Sequence, residues 1–249
     1  MTVVVKLGGS VVTEKDEPET LDEAAIERAA RAVASADEEV VVVHGGGSFG
    51  HHYATRHGVS RTDGTADALA VREIHGAMKR LNDAMVEALA DAGVTAVPVH
   101  PLSAGARDGE GQLDLPTGQV RTMLGEGFVP VLHGDVVAHV GAGATIVSGD
   151  ELVVALATGV DADRVGLCSA VPGVLDADDD VIDRIDAFED VAAVLGGSDA
   201  ADVTGGMAAK VRTLLDLDTP ASIFALADLR SFFEGERPGT LVAGGDDES

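Results

Sequence analysis

Short runs of β-branched residues bounded by glycine alternate along the chain with longer stretches whose apolar positions recur at helical spacing. Thr2 to Leu7 (TVVVKL) reads as a strand, followed by the loop Gly8-Gly9-Ser10. Leu21 to Ala36 reads as a helix, with Thr20 as N-cap and Glu23 three residues on completing a capping box. Glu39 to His44 reads as a second buried strand, and Gly45 to Gly50 as the loop after it. Ala66 to Ala92 carries Ile74, Met78, Leu81, Met85 and Leu89 on one helical stripe and ends at Gly93. Thr95 to Val99 and Val129 to Leu132 read as strands, Asp150 to Thr158 as a helix, and Arg164 to Cys168 as the strand it leads to. A helix over Val203 to Leu217 and a last strand over Ser222 to Ala225 complete the pattern. Such alternation predicts βαβ units, hence an α/β fold of three layers (α/β/α) with a mainly parallel central sheet covered on both faces. Gly105 to Gly118 reads as a hairpin or flap, and Asp246 to Ser249 as a frayed acidic end. With no internal repeat and no long linker, the expectation is a single domain over 1–249.

Charge narrows the possible partners. The 249 residues include 43 acidic and 17 basic ones, a net charge of -26. That balance argues against nucleic acid and anionic membranes, whose phosphates require clustered cations. Hydrophobic residues make up 45%, enough for a substantial core. One cysteine, Cys168, excludes an internal disulfide. Met1 to Val5 does not read as a secretory signal, and apolar runs such as Val40 to Val43 are far too short to span a bilayer, so a cytoplasmic protein is expected. Only four of the basic residues are lysines: Lys6, Lys15, Lys79 and Lys210. An acidic surface nearly free of lysine, with 3% aromatics, suggests a salt-rich cytoplasm in which self-repulsion is screened.

Three glycine clusters carry the candidate chemistry. Lys6-Leu7-Gly8-Gly9-Ser10 follows the first strand, His44-Gly45-Gly46-Gly47-Ser48-Phe49-Gly50-His51 follows the second, and Thr204-Gly205-Gly206-Met207 precedes Lys210. One glycine pair is equally a tight turn. Three such loops, two of them with a lysine, point to phosphate cradled by backbone N–H groups. Gly45, Gly47 and Gly50 also fit the dinucleotide fingerprint G-x-G-x-x-G, but His51-His52-Tyr53 does not read as an apolar helix packed on a sheet. A dinucleotide-binding oxidoreductase is therefore kept as an alternative. The same loop nearly fits G-x-x-x-x-G-K-[ST], with His51 where lysine is required.

Taken together, Val4-Val5-Lys6-Leu7-Gly8-Gly9-Ser10 with Lys15, and Asp202-Val203-Thr204-Gly205-Gly206-Met207 with Lys210, resemble the amino acid kinase superfamily. The segment from His44 to His51, with His133-Gly134-Asp135-Val136-Val137 and Ser148-Gly149-Asp150-Glu151-Leu152, resembles its isopentenyl phosphate kinase branch. The resemblance runs from residue 4 to about 212, and His51 is its most specific mark. It implies ATP-dependent phosphorylation of isopentenyl phosphate, a homodimer, and Mg²⁺ bridging ATP oxygens without protein metal ligands. It also implies an acceptor half over about 1–145 and an ATP half over 146–249.

Roles follow by similarity. Lys6 contacts the ATP phosphates and the moving group, Lys15 stabilises the transition state, and Lys210 holds ATP phosphate from the far side. Asp150 orients Lys6 and Lys210; no base is implied, because a phosphate monoester is already anionic. Gly8, Gly9, Ser10, Gly47, Gly205 and Gly206 approach ATP, while Gly46, Gly47, His51 and Gly134 approach the acceptor, and adenine lies near Ser169 to Asp178.

Plainer readings stand beside these. Lys15 also reads as a surface lysine, His52 and His57 as solvated loop residues, and Asp135 as either a turn cap or a site residue. Asp178-Asp179-Asp180 reads as acidic surface rather than a metal cluster. The Met78 stripe reads as core, part of it with Phe128 as a possible wall for an isoprenoid tail, and Lys79 fits no role. The rival within the fold is a kinase of the UMP or acetylglutamate type. A carboxylate acceptor calls for an arginine, and none of the arginines of the acceptor half sits in a recognisable motif.

Overall fold

The computed structural model describes residues 1–195 and 206–243. The strands are β1 (Thr2–Leu7), β2 (Glu39–His44), β3 (Ala96–Pro98), β4 (Ala106–Arg107), β5 (Leu113–Asp114), β6 (Val129–His133), β7 (Asp135–His139), β8 (Gly143–Val147), β9 (Arg164–Ser169), β10 (Arg184–Ile185), β11 (Ala221–Ala225) and β12 (Thr240–Val242). The helices are α1 (Gly9–Val12), α2 (Glu23–Val33), α3 (Gly47–His57), α4 (Ala68–Asp91), α5 (Pro101–Ala104), α6 (Gly118–Gly125), α7 (Gly149–Val160), α8 (Ala192–Leu195), α9 (Gly206–Leu215) and α10 (Leu229–Phe233).

An eight-stranded sheet has the order β10-β12-β11-β9-β1-β2-β6-β3. All neighbours are parallel except β11 and β12. Alternation along β1 and β2 sorts the core into two layers. Val4, Val41 and Val43 face one side, where Leu152, Val153 and Leu156 of α7 pack. Val3, Val5, Leu7, Val40 and Val42 face the other, against Ile26 and Ala29 of α2 and Met85 and Leu89 of α4. The expected three-layer α/β/α architecture is thus present, with one uninterrupted sheet between helical layers. Because the period is two, Lys6 falls on the α7 side with Val4, and His44 on the α4 side with Val42.

Several local expectations are corrected. Helix α2 starts at Glu23 and is capped by Asp22, whose side chain accepts from the Ala25 N–H. Thr20, the expected cap, instead accepts the Glu14 N–H at its carbonyl in the loop before the helix. The segment after β2 is not a loop through Gly50, because α3 begins at Gly47 and runs through His57. His52 and His57 are therefore helical, and His57 pairs with Glu73 at 2.7 Å. The hairpin expected over Gly105 to Gly118 exists as β4 and β5, inside a second four-stranded sheet of order β5-β4-β7-β8 that the pattern did not reveal. Asp178 to Asp180 form an exposed turn, where Asp176 Oδ1 accepts from the N–H groups of Asp178 and Asp180. The first residues expected in the Val203 helix, Gly205 and the acidic end fall outside the described residues. Among those described, no helix is long and apolar enough to cross a membrane.

Candidate active site

Register brings the carboxyl ends of the central strands level. Leu7 pairs with His44 on one side and Cys168 on the other, and His44 pairs with His133. From β1 the chain fills β2, β3 and β6 on one flank and later β9, β11 and β12 on the other. That reversal beside β1 is where an open α/β sheet leaves a crevice beyond its strand ends. A cavity of about 810 Å³ lies there. Its walls include Lys6, Gly8, Gly9, Ser10, Lys15, Gly46, Gly47, His51, Gly134, Asp150 and Lys210, so residues scattered over most of the sequence meet in one space. Gly206 is not among the wall residues; it opens α9 at a φ of 61°, with Lys210 one turn further on.

The first two glycine loops are glycine because they touch each other. A Cβ on Gly9 would lie 2.2 Å from the Gly47 nitrogen, and one on Gly45 would lie 2.6 Å from the Gly9 nitrogen. Gly47 also adopts a φ of 47°, and a Cβ there would meet Thr13 Oγ1 at 2.1 Å. Thr13, which the sequence did not single out, joins the loops. It is 3% exposed, donates to the Gly9 carbonyl at 2.8 Å and accepts the Ser48 N–H at 3.0 Å. Helix α3 follows with Gly46 as an N-cap that has no side-chain acceptor of its own; Thr13 takes the Ser48 N–H, and Gly46 and Gly47 at the positive amino end line the cavity.

A second helix brings a carboxylate into the same space. Ser148 caps α7 in a full capping box with Glu151. Glu151 also accepts from Arg107 at 2.7 Å and pairs with Arg61 at 3.3 Å. Arg107 is almost wholly buried and ties the second sheet to this helix end, so it is a brace rather than an acceptor arginine. Next to this brace, Asp150 accepts from Lys6 Nζ at 2.6 Å, with side chains 11% and 8% exposed. Gly149 makes room for the lysine, since a Cβ there would lie 3.0 Å from Lys6 Cε. Lys6 and Asp150, expected to act together, are thus in direct contact.

Beneath the glycine loops lies a histidine network that no single motif announced. His44 and His133 stack with centroids 5.6 Å apart. Each donates Nδ1–H to the carbonyl of the residue after it, Gly45 at 3.1 Å and Gly134 at 2.9 Å. Burial, and then the neighbouring His133, pushes the His44 pKa down to about 3, so the ring is neutral. Its Nε2 is then an acceptor, yet it faces Asn82 Oδ1 at 3.0 Å while Asn82 Nδ2 has no protein partner. Turning the Asn82 amide over satisfies both groups. His133 Nε2 accepts from His100 Nδ1 at 2.9 Å, and burial lowers both pKa values. In a trans peptide the next N–H points opposite the carbonyl, so fixing the Gly45 carbonyl fixes the Gly46 N–H. Asp135 is 2% exposed; it accepts from His75 at 2.8 Å and from its own neighbour Val136, and it also lines the cavity.

One wall is apolar: Ile74 and Met78 of α4 with Ile146 and Val147 of β8. Phe128, the other candidate for this wall, is 43% exposed and is not part of it. Cys168 also lines the cavity, its thiol pushed up to about 12 by burial and so unreactive. Among the described residues the cavity wall contains no arginine, and no group of three or more His, Cys, Asp or Glu could hold a metal. The dinucleotide alternative fails on topology, because α3 is followed by α4 rather than by the strand that would carry a ribose-binding acid.

Comparison with known proteins agrees with this geometry. The amino acid kinase family pattern matches residues 1–217. The isopentenyl phosphate kinase of Haloferax volcanii is 66% identical over 244 residues, covering 97% of this chain and 98% of that protein. That of Methanocaldococcus jannaschii is 33% identical over 226 residues, covering 85% of each. A solved structure described as that of isopentenyl phosphate kinase superposes with a TM-score of 0.79 at 27% identity, covering 97% of this chain and 100% of the other. This chain belongs to the amino acid kinase family, and within it to the isopentenyl phosphate kinases.

Proposed function

We propose that this protein transfers the γ-phosphoryl group of ATP to isopentenyl phosphate, giving isopentenyl diphosphate and ADP. One observation carries the reading beyond family membership: Lys6, Lys15, Lys210 and His51 line one cavity together with the amino ends of α3 and α7. In a chain of net charge -26, three of its four lysines meet in that cavity. A site for two phosphorylated molecules needs such concentration of positive charge, since phosphoryl transfer depends on charge neutralisation and alignment.

On this reading His51 and the Gly46 N–H bind the acceptor phosphate, with Gly134 beside them. Lys6, held by Asp150, reaches the transferred group between the two substrates. Gly8, Gly9, Ser10, Gly47 and Lys210 receive the ATP phosphates, and Lys15 meets the charge that develops on the moving group. Apart from Gly47, residues on the β2, β3 and β6 flank then serve the acceptor, and those on the β9 and β11 flank serve ATP. The wall formed by Ile74, Met78, Ile146 and Val147 suits a short isoprenoid tail. A carboxylate acceptor is disfavoured by the lack of arginine among the described wall residues. Mg²⁺ carried in on the ATP oxygens would neutralise phosphate charge there.

Phosphorus NMR of the reaction mixture tests the transfer. The phosphomonoester signal of isopentenyl phosphate is expected to give way to two coupled diphosphate signals as ADP accumulates. ATP consumption without a diphosphate ester would refute it. The acidic, lysine-poor surface supports a salt-rich cytoplasm, so the assay belongs in multimolar KCl, and unfolding on dialysis into dilute buffer is expected. The resemblance also supports a homodimer, which light scattering in the same salt would read as twice the 25.3 kDa chain mass.

A further inference from the structure

The segment that carries Lys15 is a strap closed at its base and tied there to α3, where the Ser48 carbonyl accepts the Glu19 N–H at 3.4 Å. An antiparallel bridge between Thr13 and Leu21 and a hydrogen bond from the Glu14 N–H to the Thr20 carbonyl at 3.0 Å close its base. Lys15, Asp16 and Pro18 face the cavity, and Lys15 itself is exposed. Next to Thr20 at that base, Glu19 adopts a φ of 53°, one of three non-glycine residues in the left-handed region among the described residues. An L side chain is strained there, and such strain persists only where surrounding contacts enforce it. Tyr53 donates its hydroxyl to Glu19 Oε1, and Arg80 donates to Glu19 Oε2 through Nε at 3.0 Å and Nη2 at 2.7 Å. The Tyr53 hydroxyl, with help from Arg80, holds the Glu19 carboxyl below its ordinary pKa, against the opposing effect of burial.

We infer that Glu19, locked by Tyr53 and Arg80, is the positioning residue that sets Lys15 over the transferring phosphoryl group. Tyr53 stands two positions after His51 on α3, so the lock joins the helix presenting the acceptor-side histidine to the strap presenting the lysine. Arg80 fastens the same carboxylate to α4, two residues beyond the apolar wall residue Met78. Glu19 touches no substrate. It acts through the backbone of the strap, and a carboxylate is suited to this because one oxygen serves the phenol and the other the guanidinium fork. This inference rests on the proposed role of Lys15 in the transfer.

The test uses the full chain in high salt with Glu19→Gly, which removes the lock and relieves the left-handed strain, and Tyr53→Phe, which removes one donor. Glu19→Gly is expected to lower kcat by about tenfold, with the KM for ATP within twofold of wild type, because a displaced transition-state group costs rate rather than binding. Tyr53→Phe is expected to fall between the two. In a Lys15→Ala background the same Glu19→Gly change should cost nothing more, since its effect passes through the lysine. Hydrogen exchange at the Glu14 amide gives a readout independent of turnover, and Glu19→Gly should speed it about tenfold. Undiminished kcat in Glu19→Gly, full additivity with Lys15→Ala, or unchanged exchange at Glu14 would each overturn the inference. If Lys15→Ala alone keeps full kcat, the role of Lys15 in the transfer falls, and exchange at Glu14 alone then decides whether the lock exists.

Discussion

Gly9→Ala isolates the contact that makes one site of two distant loops. The added methyl carbon would start 2.2 Å from the Gly47 nitrogen and 2.6 Å from its Cα, both backbone atoms that no side-chain rotation can move aside. Cβ contacts in proteins essentially never fall below 3.0 Å, so the loops must part by most of an ångström. Displacement of about 1 Å in a phosphoryl-transfer site costs roughly 100-fold in rate. Overpacking of this kind costs about 1–3 kcal/mol of stability. At about 2–4 °C per kcal/mol for a chain of this size, Tm should drop by about 2–12 °C. Steady-state kinetics with both substrates and a thermal melt, in the same high salt, read the two effects together. Gly118→Ala is the control, because a Cβ there meets nothing within 4 Å; it should match wild type in kcat. A Gly9→Ala protein with kcat within threefold of wild type would refute the reasoning. A lowered Tm with unchanged kcat would confine the loop contact to folding.

Asp150→Asn leaves the buried Lys6 ammonium without its partner, and breaking a buried ion pair costs about 3–5 kcal/mol, here nearer the lower figure because the cavity admits water. The loss should appear as a lower Tm without ATP and shrink at saturating ATP, whose phosphate replaces the carboxylate; equal apo Tm values would contradict this. His51→Ala removes a hydrogen bond to a charged group, worth about 1.5–3 kcal/mol, so KM for isopentenyl phosphate should rise by roughly one to two orders of magnitude. ATP affinity should hold, and an equal loss for both substrates would move His51 out of the acceptor site. His44 gives a pH test. Its folded pKa of about 3 against an ordinary 6.5 means that the unfolded chain takes up a proton the folded chain refuses. Its contribution is complete above pH 6.5 and is lost as pH falls toward 3, at up to about 1.4 kcal/mol per unit. The stability difference between wild type and His44→Phe should therefore narrow with acid, and a constant difference would mean that the ring is not held neutral.

The central sheet was legible because its strands are buried on both faces and read as β-branched runs, and the lysine loops because glycine pairs at strand ends have few other uses. The second sheet was not legible: β4 and β5 are two residues each, too short for any periodicity. Helix α3 reads as a loop in the sequence because it buries only Phe49 and Ala54 among its apolar side chains. Thr20 and Asp22 both stand before α2 as cap residues; Asp22 takes the role and Thr20 closes the strap. The histidine network stayed hidden for a different reason. His44 meets Asn82 at a separation of 38 residues and His100 meets His133 at 33, so neither contact leaves a local signal. What could have hinted at it is the histidine ending both β2 and β6, each followed by glycine, in strands that pair in register.

The most direct test of the account is acceptor choice. Values of kcat/KM measured with ATP in multimolar KCl for isopentenyl phosphate, UMP and acetylglutamate should favour isopentenyl phosphate by at least about three orders of magnitude, because an acceptor lacking the right group leaves the site's buried polar groups unpaired. Turnover of UMP or acetylglutamate equal to or above that of isopentenyl phosphate would contradict it.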